Sequence, residues 1–501
     1  MSSADEIKQF AEKYGIKNSS LIKTGAYING EWIYPESSEI FAVTDPANEQ
    51  HLLNVVNTPI ELIESAIKDA EISFQSFKKD TSGRQRSILL KKLYDLVVEN
   101  LDDLAIIATL ENGKALADSK GEIKYGSSFF EWFAEEAPRV YGDNIPSADT
   151  SRRIITYKQP VGVVGILTPW NFPHAMITRK FGAAAAAGCT TIVKPATETP
   201  LSALALAELI HQAGFPKGVF NIVPVDQERT RVVGKLFCES PLIKKISFTG
   251  STQVGKLLMG YSAESLKKLS FELGGNAPFI VFDDADLDKA VAGAIGCKLR
   301  QSGQTCVCAN RLYVQEGIYD EFAKKLTSEI KKLKLGHGLL PDTTHGPLIH
   351  DRAVAKVQSQ IKDATSKGAS ILTGGEVEKE LGPYFHQLTV LSNVTHEMNV
   401  SHEETFGPLV PLIKFKTEEE VLKLANDTPY GLAGYFFTND YAKVFRVGEQ
   451  LNCGMIGANS GAITEAALPF GGIGWSGMGR EGSKYGVADY INIKSIVIGG
   501  I

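Results

Sequence analysis

Between residues 161 and 250 the chain alternates short apolar runs with helical segments, at a spacing that suits a parallel sheet better than any other arrangement. VGVVGILTP (161–169), TTIVKP (190–195), VFNIVP (219–224) and KKISFTG (244–250) have the length and β-branched content of strands. A helix over MITRKFGAAAAAG (176–188) and another from 201 to 213 separate them. Parallel neighbours need a crossover connection, so the pattern predicts βαβ units with both sheet faces covered. A second series predicts a second α/β unit: APFIVFD (277–283), RLYVQ (311–315), a helix at 317–334, ASILTGG (369–375) and VPLIKF (410–415). Ahead of both, apolar residues recur at three- and four-residue steps over 59–79, 84–99, 101–119 and 121–136, the signature of amphipathic helices.

A chain of 501 residues exceeds what one core serves, which fits two such units. SRRIITYKQP (151–160) and VADYINIKSIVI (487–498) read as strands outside both series. A free-standing strand needs a partner, and pairing within a homo-oligomer supplies one. With 52 basic and 58 acidic side chains the net charge is −6, so no polycationic face recruits nucleic acid or an anionic membrane. Six scattered cysteines argue against a disulfide framework, and the CxC pair at 306 and 308 lacks the companions of a zinc site. The start, MSSADEIKQFAEKYG, has mixed charge and no apolar core, and no apolar run reaches membrane-spanning length. A cytoplasmic location is the expectation.

The chemistry concentrates in four segments. GQTCVC (303–308) sets Cys306 beside a glycine that lets backbone amides approach a substrate. SFELGGNAPFIVF (270–282) puts Glu272 among apolar residues, a setting that raises a carboxylate toward the proton affinity of a useful base. TPWNFP (168–173) fixes Asn171 between two prolines, as suits an oxyanion donor. SFTGSTQVG (247–255) delivers Gly250 and Ser251 from a strand into a helix that reaches Gly255, where free amides and the helix dipole favour a pyrophosphate. Each has a plainer reading as packing or turn. A thiol hydrolase is a rival, but none of the 9 histidines lies in a motif with Cys306. A non-catalytic role is a second.

Taken in order, PWNFP (169–173), VKPA (193–196), FTGST (248–252), ELGG (272–275), GQTC (303–306), EETFGP (403–408) and PFGG (469–472) resemble the aldehyde dehydrogenase family over nearly the whole chain. The resemblance implies an α/β fold with a Rossmann-like cofactor domain (1–142 and 161–270), an α/β catalytic domain (271–473) and a β-hairpin oligomerisation arm (143–160 and 484–501) that builds dimers or tetramers. It implies that Cys306 is the nucleophile and Glu272 the base for deacylation, with Asn171 and the Cys306 amide holding the oxyanion. For a nicotinamide cofactor it implies Thr168, Trp170, Lys194, Thr197, Gly250, Ser251, Gly255, Glu404 and Phe406, with Lys194 at the adenosine ribose, Glu404 at the nicotinamide ribose and Phe406 behind the ring.

Within the family, WFAEEAPRVYGDNIPS (132–147), AMITRKFGAA (175–184), TCVC (305–308) and REGSKYG (480–486) are similar to succinate-semialdehyde dehydrogenases of 4-aminobutyrate degradation. That subfamily holds the substrate carboxylate with two arginines, matched here by Arg179 and Arg300. Where it usually has serine this chain has Thr464, whose methyl narrows the site against glutarate semialdehyde. Strictly NAD-dependent members often carry glutamate where this chain has Thr197. A neutral hydroxyl removes repulsion of a 2′-phosphate and can donate to it, so NADP is the expected cofactor, with NAD usable. Cys308, two residues beyond the nucleophile, is expected to act as a resolving thiol. In an extended strand the pair would need the loop to pucker before it could bridge.

Overall fold

The runs read as central strands are buried on both sides: Val163–Leu167, Thr190–Lys194 and Ala277–Val281 expose no residue. A computed structural model describes residues 4–35 and 39–500 and arranges these strands in two large sheets. Residues 1–3 and 36–38 of the expected cofactor domain and residue 501 of the expected arm lie outside the described part.

The first sheet has eight strands, in the order Glu31–Ile33, Ala26–Ile28, Phe220–Ile222, Thr190–Lys194, Val163–Leu167, Ile243–Thr249, Lys268–Glu272 and Gly477–Met478. Its five central strands are parallel, whereas the edges formed by Ala26–Ile28, Glu31–Ile33 and Gly477–Met478 run antiparallel. From Val163–Leu167 the chain winds outward through 190–194 and 220–222, then returns to lay Ile243–Thr249 on the other side of the starting strand. The switch point therefore lies between Val163–Leu167 and Ile243–Thr249, and a crevice opens where their C-terminal ends release residues 168–171 and 250–251.

The second sheet has seven strands, in the order Ser370–Thr373, Thr389–Val394, Leu409–Phe415, Ala309–Gln315, Ala277–Val281, Ala433–Phe437 and Met455–Ala458. All are parallel but the antiparallel edge Ser370–Thr373. Four residues, LGGN (273–276), carry the chain from the C-terminal end of Lys268–Glu272 into the N-terminal end of Ala277–Val281. The two sheets thus face each other across a cleft in which the first contributes strand ends and the second strand beginnings.

Three expectations change. Both sheets are mixed: the antiparallel edges Ala26–Ile28, Glu31–Ile33 and Gly477–Met478 were not revealed by the period, and Ser370–Thr373, read as a strand of the second unit, runs antiparallel. The helices expected at 101–119 and 121–136 are Leu101–Asn112 and Leu116–Glu136, divided where Gly113 adopts φ +86. A glycine can take that left-handed conformation without a steric penalty, and the apolar period runs through it unchanged. Residues 483–488 form a short helix with Ser483, Gly486 and Val487 buried, so the second limb of the projecting sheet begins at Ile491. That limb, Ile491–Gly499, pairs antiparallel with Arg152–Pro160, which also carries Asn144–Ile145. Beyond Ile491 every residue of the limb is exposed.

Candidate active site

Cys306 lies in a turn between the helical turn Arg300–Gly303 and the strand Ala309–Gln315. Two cavities meet at it. A small one of about 80 Å³ is walled by Tyr125, Phe172, Met176, Phe470 and Tyr435, with Arg179, Arg300 and Thr464 among its polar lining. A larger one of about 490 Å³ runs past Trp170, Gly250, Ser251, Gly274, Glu404 and Phe406. Among the residues lining the two, Cys306 alone is shared.

Withdrawal from water pushes the Cys306 thiol up to about 12; Arg179 opposes this, and Glu272 adds to it. The thiol is therefore protonated in the chain alone and needs a base to become a nucleophile. Glu272, at the end of its strand, is 2% exposed and its Oε2 has no partner among the described residues. Burial first, then the nearby Glu481, raise its proton affinity well above the carboxylate range, against Arg179, Lys180 and Arg480. Glu481 itself is held low by ion pairs with Arg179 and Lys180. It takes both cations and leaves Glu272 as the weaker acid.

Lys180 and Glu481 were absent from the sequence reading. The signal was available in part: Arg179 and Lys180 are adjacent charges in the helix Ala175–Ala187, all 13 residues of which are buried. Two cations in such a helix require a buried anion. Its identity was not legible, because Glu481 is 301 positions from Lys180.

Asn171 is 3% exposed and lines the larger cavity with Cys306. One carboxamide N–H donates to the Gln304 carbonyl at 3.0 Å, which fixes the amide plane and leaves the second for a ligand. Its backbone carbonyl accepts from Lys114 Nζ and Gln301 Nε2, each at 2.7 Å.

Of the residues expected at the cofactor, Trp170, Gly250, Ser251, Glu404 and Phe406 line the larger cavity. Ser251 caps the helix Thr252–Ser262, its Oγ accepting from Val254 N at 3.3 Å. Glu404 accepts from Gly275 N at 2.9 Å, and a Cβ on Gly274 would stand 2.9 Å from its other oxygen. Trp170 and Phe406 meet edge to face at 5.6 Å. A glycine-walled, aromatic-lined cleft at a helix N-terminus suits a dinucleotide. Thr168, Lys194, Thr197 and Gly255 do not line it. A Cβ on Gly255 would meet Leu273 at 2.6 Å, so this glycine serves close helix packing. Lys194 donates to Thr230 Oγ1 at 3.1 Å, and burial lowers its amine to about 8. Thr197 spends its proton on the Val225 carbonyl at 3.0 Å, so the donation expected of it is not available, although its neutrality is.

At the other end, Arg179, Arg300 and Thr464 all line the small cavity, but the two arginines differ. Arg179 is 1% exposed, ion-paired to Glu481 and stacked on Phe470 with its guanidinium carbon 4.2 Å from the ring centroid. Arg300 faces Phe172 at 5.3 Å and, among the described residues, has no carboxylate within ion-pair distance. Cys308 lines neither cavity: its Sγ donates to the Lys298 carbonyl at 3.4 Å. The extended geometry expected there is replaced by a turn, closed by Cys308 N donating to Thr305 O at 3.0 Å.

Comparison with known proteins agrees with this geometry. Residues 32–496 match the model of the aldehyde dehydrogenase family. An NADP(+) succinate-semialdehyde dehydrogenase of Saccharomyces cerevisiae is 51% identical over 488 residues, 97% of each chain. A 3-sulfolactaldehyde dehydrogenase of Pseudomonas putida is 51% identical over 97% of this chain and 99% of its own. The crystal structure of a succinate-semialdehyde dehydrogenase from Burkholderia pseudomallei superposes with a TM-score of 0.94 at 50% identity, covering 97% of this chain and 99% of the other. A thiol between two cavities, a carboxylate raised by burial, and matches of this extent lead to one assignment: the chain belongs to the aldehyde dehydrogenase family.

Proposed function

We propose that the chain oxidises succinate semialdehyde to succinate with NADP as the preferred hydride acceptor and NAD as a usable one. The observation that carries this reading is the placement of Cys306 as the one residue shared by a small cavity with an arginine that has no carboxylate partner among the described residues and a larger cavity suited to a dinucleotide. The names of the yeast relative and of the Burkholderia structure support the substrate, and the former supports the cofactor.

The Cys306 thiol adds to the aldehyde carbon and passes its proton to Glu272, whose affinity for one is raised. The oxygen of the thiohemiacetal accepts the free N–H of Asn171 and the Cys306 amide. When bound, the nicotinamide supplies the acceptor for the hydride lost from that carbon. Glu272, having released its first proton to solvent, takes one from water as the water attacks the thioester, and the acid leaves with the thiol restored. Arg300 and Thr464 hold the far carboxylate, with Arg179, already paired to Glu481, lending its charge beside them. Trp170, Gly250, Ser251, Glu404 and Phe406 hold the cofactor's nicotinamide and pyrophosphate end. We further infer a homo-oligomer built through the exposed limb Ile491–Gly499, and a cytoplasmic location from the scattered free thiols.

Steady-state rates on succinate semialdehyde, glutarate semialdehyde, 3-sulfolactaldehyde and butanal, each with NADP and NAD, test the assignment. Succinate semialdehyde with NADP should give the highest kcat/KM. A hundredfold preference for NAD, or for an uncharged aldehyde, refutes the corresponding half.

A further inference from the structure

We propose that Gln301 is a positioning residue that locks the oxyanion donor Asn171 to the loop carrying Cys306. The proposal rests on the reading of Asn171 as that donor.

Gln301 and Ser302 are non-glycine residues in the left-handed region, at φ +51 and +53, followed by Gly303 at +79. Three consecutive left-handed residues carry a backbone cost for each non-glycine member, and they persist only where surrounding contacts over-determine them. The contacts here are many. Gln301 N donates to Asp118 Oδ2 at 3.1 Å, Ser302 Oγ to the Gly346 carbonyl at 2.7 Å, and Gln304 N to the Gln301 carbonyl at 3.1 Å. A Cβ on Gly303 would meet the Gly407 carbonyl at 2.2 Å, so this position closes against the loop that carries Glu404 and Phe406.

The backbone contortion has a result. It turns the Gln301 side chain, 2% exposed, so that Nε2 donates to the Asn171 carbonyl at 2.7 Å and to Asn112 Oδ1 at 3.1 Å. Both partners accept, which fixes the orientation of the amide. Asn112 Nδ2 in turn donates to the Trp170 carbonyl at 2.9 Å. Asn171 is thereby held on both sides of its Cα. Its backbone oxygen is gripped by Gln301 and Lys114, and its side-chain nitrogen donates to Gln304, whose own backbone N–H is tied to Gln301. One residue of the nucleophile loop sets the distance between the thiol and the donor that receives its product. The strain is offset by an alignment useful only when an oxyanion forms.

The test is a double-mutant cycle. Gln301→Met keeps the side chain's length and removes both donations. At saturating cofactor the burst rate of reduced nicotinamide should fall about 10- to 100-fold, with KM for the aldehyde and the cofactor Kd within threefold of wild type. Alkylation of Cys306 by iodoacetamide, followed on its peptide by mass spectrometry, is a displacement that forms no oxyanion, and its rate should stay within twofold. Asn171→Ala should lower the burst at least as far, and the double variant should be no slower than Asn171→Ala alone. Where Gln301→Met does not fold, Gln301→Leu, neutral and without donors, gives the same reading.

Losses that multiply in the double variant, a wild-type burst in Gln301→Met, or alkylation that slows in step with oxidation each overturn the positioning role. A wild-type burst in Asn171→Ala overturns the oxyanion reading, and the proposal for Gln301 falls with it. A slow Asn171→Ala beside a normal Gln301→Met removes only the latter.

Discussion

The two arginines of the small cavity should differ in what they do when replaced, although sequence motifs assign them one role. Arg300 has no carboxylate partner among the described residues, so its charge is available to a substrate anion. Replacing it with methionine removes one charge-assisted hydrogen-bonding partner in a partly shielded site, roughly 2 to 3 kcal/mol. That corresponds to a loss of about 30- to 150-fold in kcat/KM for succinate semialdehyde, most of it in KM. Butanal, of the same chain length without the carboxylate, should be oxidised within about threefold of wild type. Arg179 is engaged with Glu481 and Phe470, and it lowers both Glu272 and the Cys306 thiol. Arg179→Met should therefore depress kcat on both aldehydes, because it removes a charge that the reacting groups feel. Initial rates over a range of each aldehyde at saturating NADP decide the matter. Equal losses on butanal and succinate semialdehyde in Arg300→Met, or a purely anion-selective loss in Arg179→Met, refute the division.

Four further outcomes are expected. Glu272→Gln removes the base used both at the thiol and at the attacking water, so stopped-flow absorbance should show a slowed burst of reduced cofactor and a steady state slower still; a steady state matching the wild type denies its role in deacylation. Glu272 must be unprotonated to act, so kcat should rise with pH through an inflection above the ordinary carboxylate range, and Glu481→Gln, by removing an anion that raises Glu272, should move that inflection to lower pH. Lys194 and Thr197 both reach Thr230 Oγ1, outside the larger cavity; with Lys194 at the adenosine ribose, as the resemblance implies, its charge would meet the 2′-phosphate, so the Kd of NADP should weaken as pH rises through about 8 while the Kd of NAD changes little. Peroxide inactivation should be reversed by dithiothreitol in the wild type and not in Cys308→Ala, since a turn at 305–308 brings residues 306 and 308 closer than a strand would; full recovery of the variant leaves Cys308 a packing residue.

What the sequence made legible follows from how locally each feature is encoded. Cys306, Glu272 and Asn171 each sit in a short segment punctuated by glycine or proline, and such punctuation survives without knowledge of the fold. Parallel strands such as Val163–Leu167, Thr190–Lys194 and Ala277–Val281 were legible because burial on both faces leaves continuous apolar runs, whereas Thr389–Val394, Ala433–Phe437 and Met455–Ala458, also parallel, were not read. The edges of the first sheet were not legible either: Gly477–Met478 has two residues and pairs only with the end of Lys268–Glu272. The break at Gly113 was hidden because apolar recurrence continues from one helix into the next. Gln301 gave no sign either, for a glutamine in a loop carries no mark of the left-handed backbone that gives it its reach.

The buried charges around Cys306 show why the site needed distant residues at all. Two carboxylates, Glu272 and Glu481, share an interior with Arg179 and Lys180. Had both cations paired with Glu272, it would be held as a carboxylate of low proton affinity, unable to take a proton from water or from a thiol at about 12. Glu481 draws them off. It stays ionised, and its negative charge lies close enough to raise Glu272 further. The same arrangement leaves Arg179 near enough to favour the Cys306 thiolate. Glu481 is thus the member of the set whose pairing leaves the other carboxylate with a raised proton affinity, and only the closing of the chain's last turns onto the helix Ala175–Ala187 brings it there.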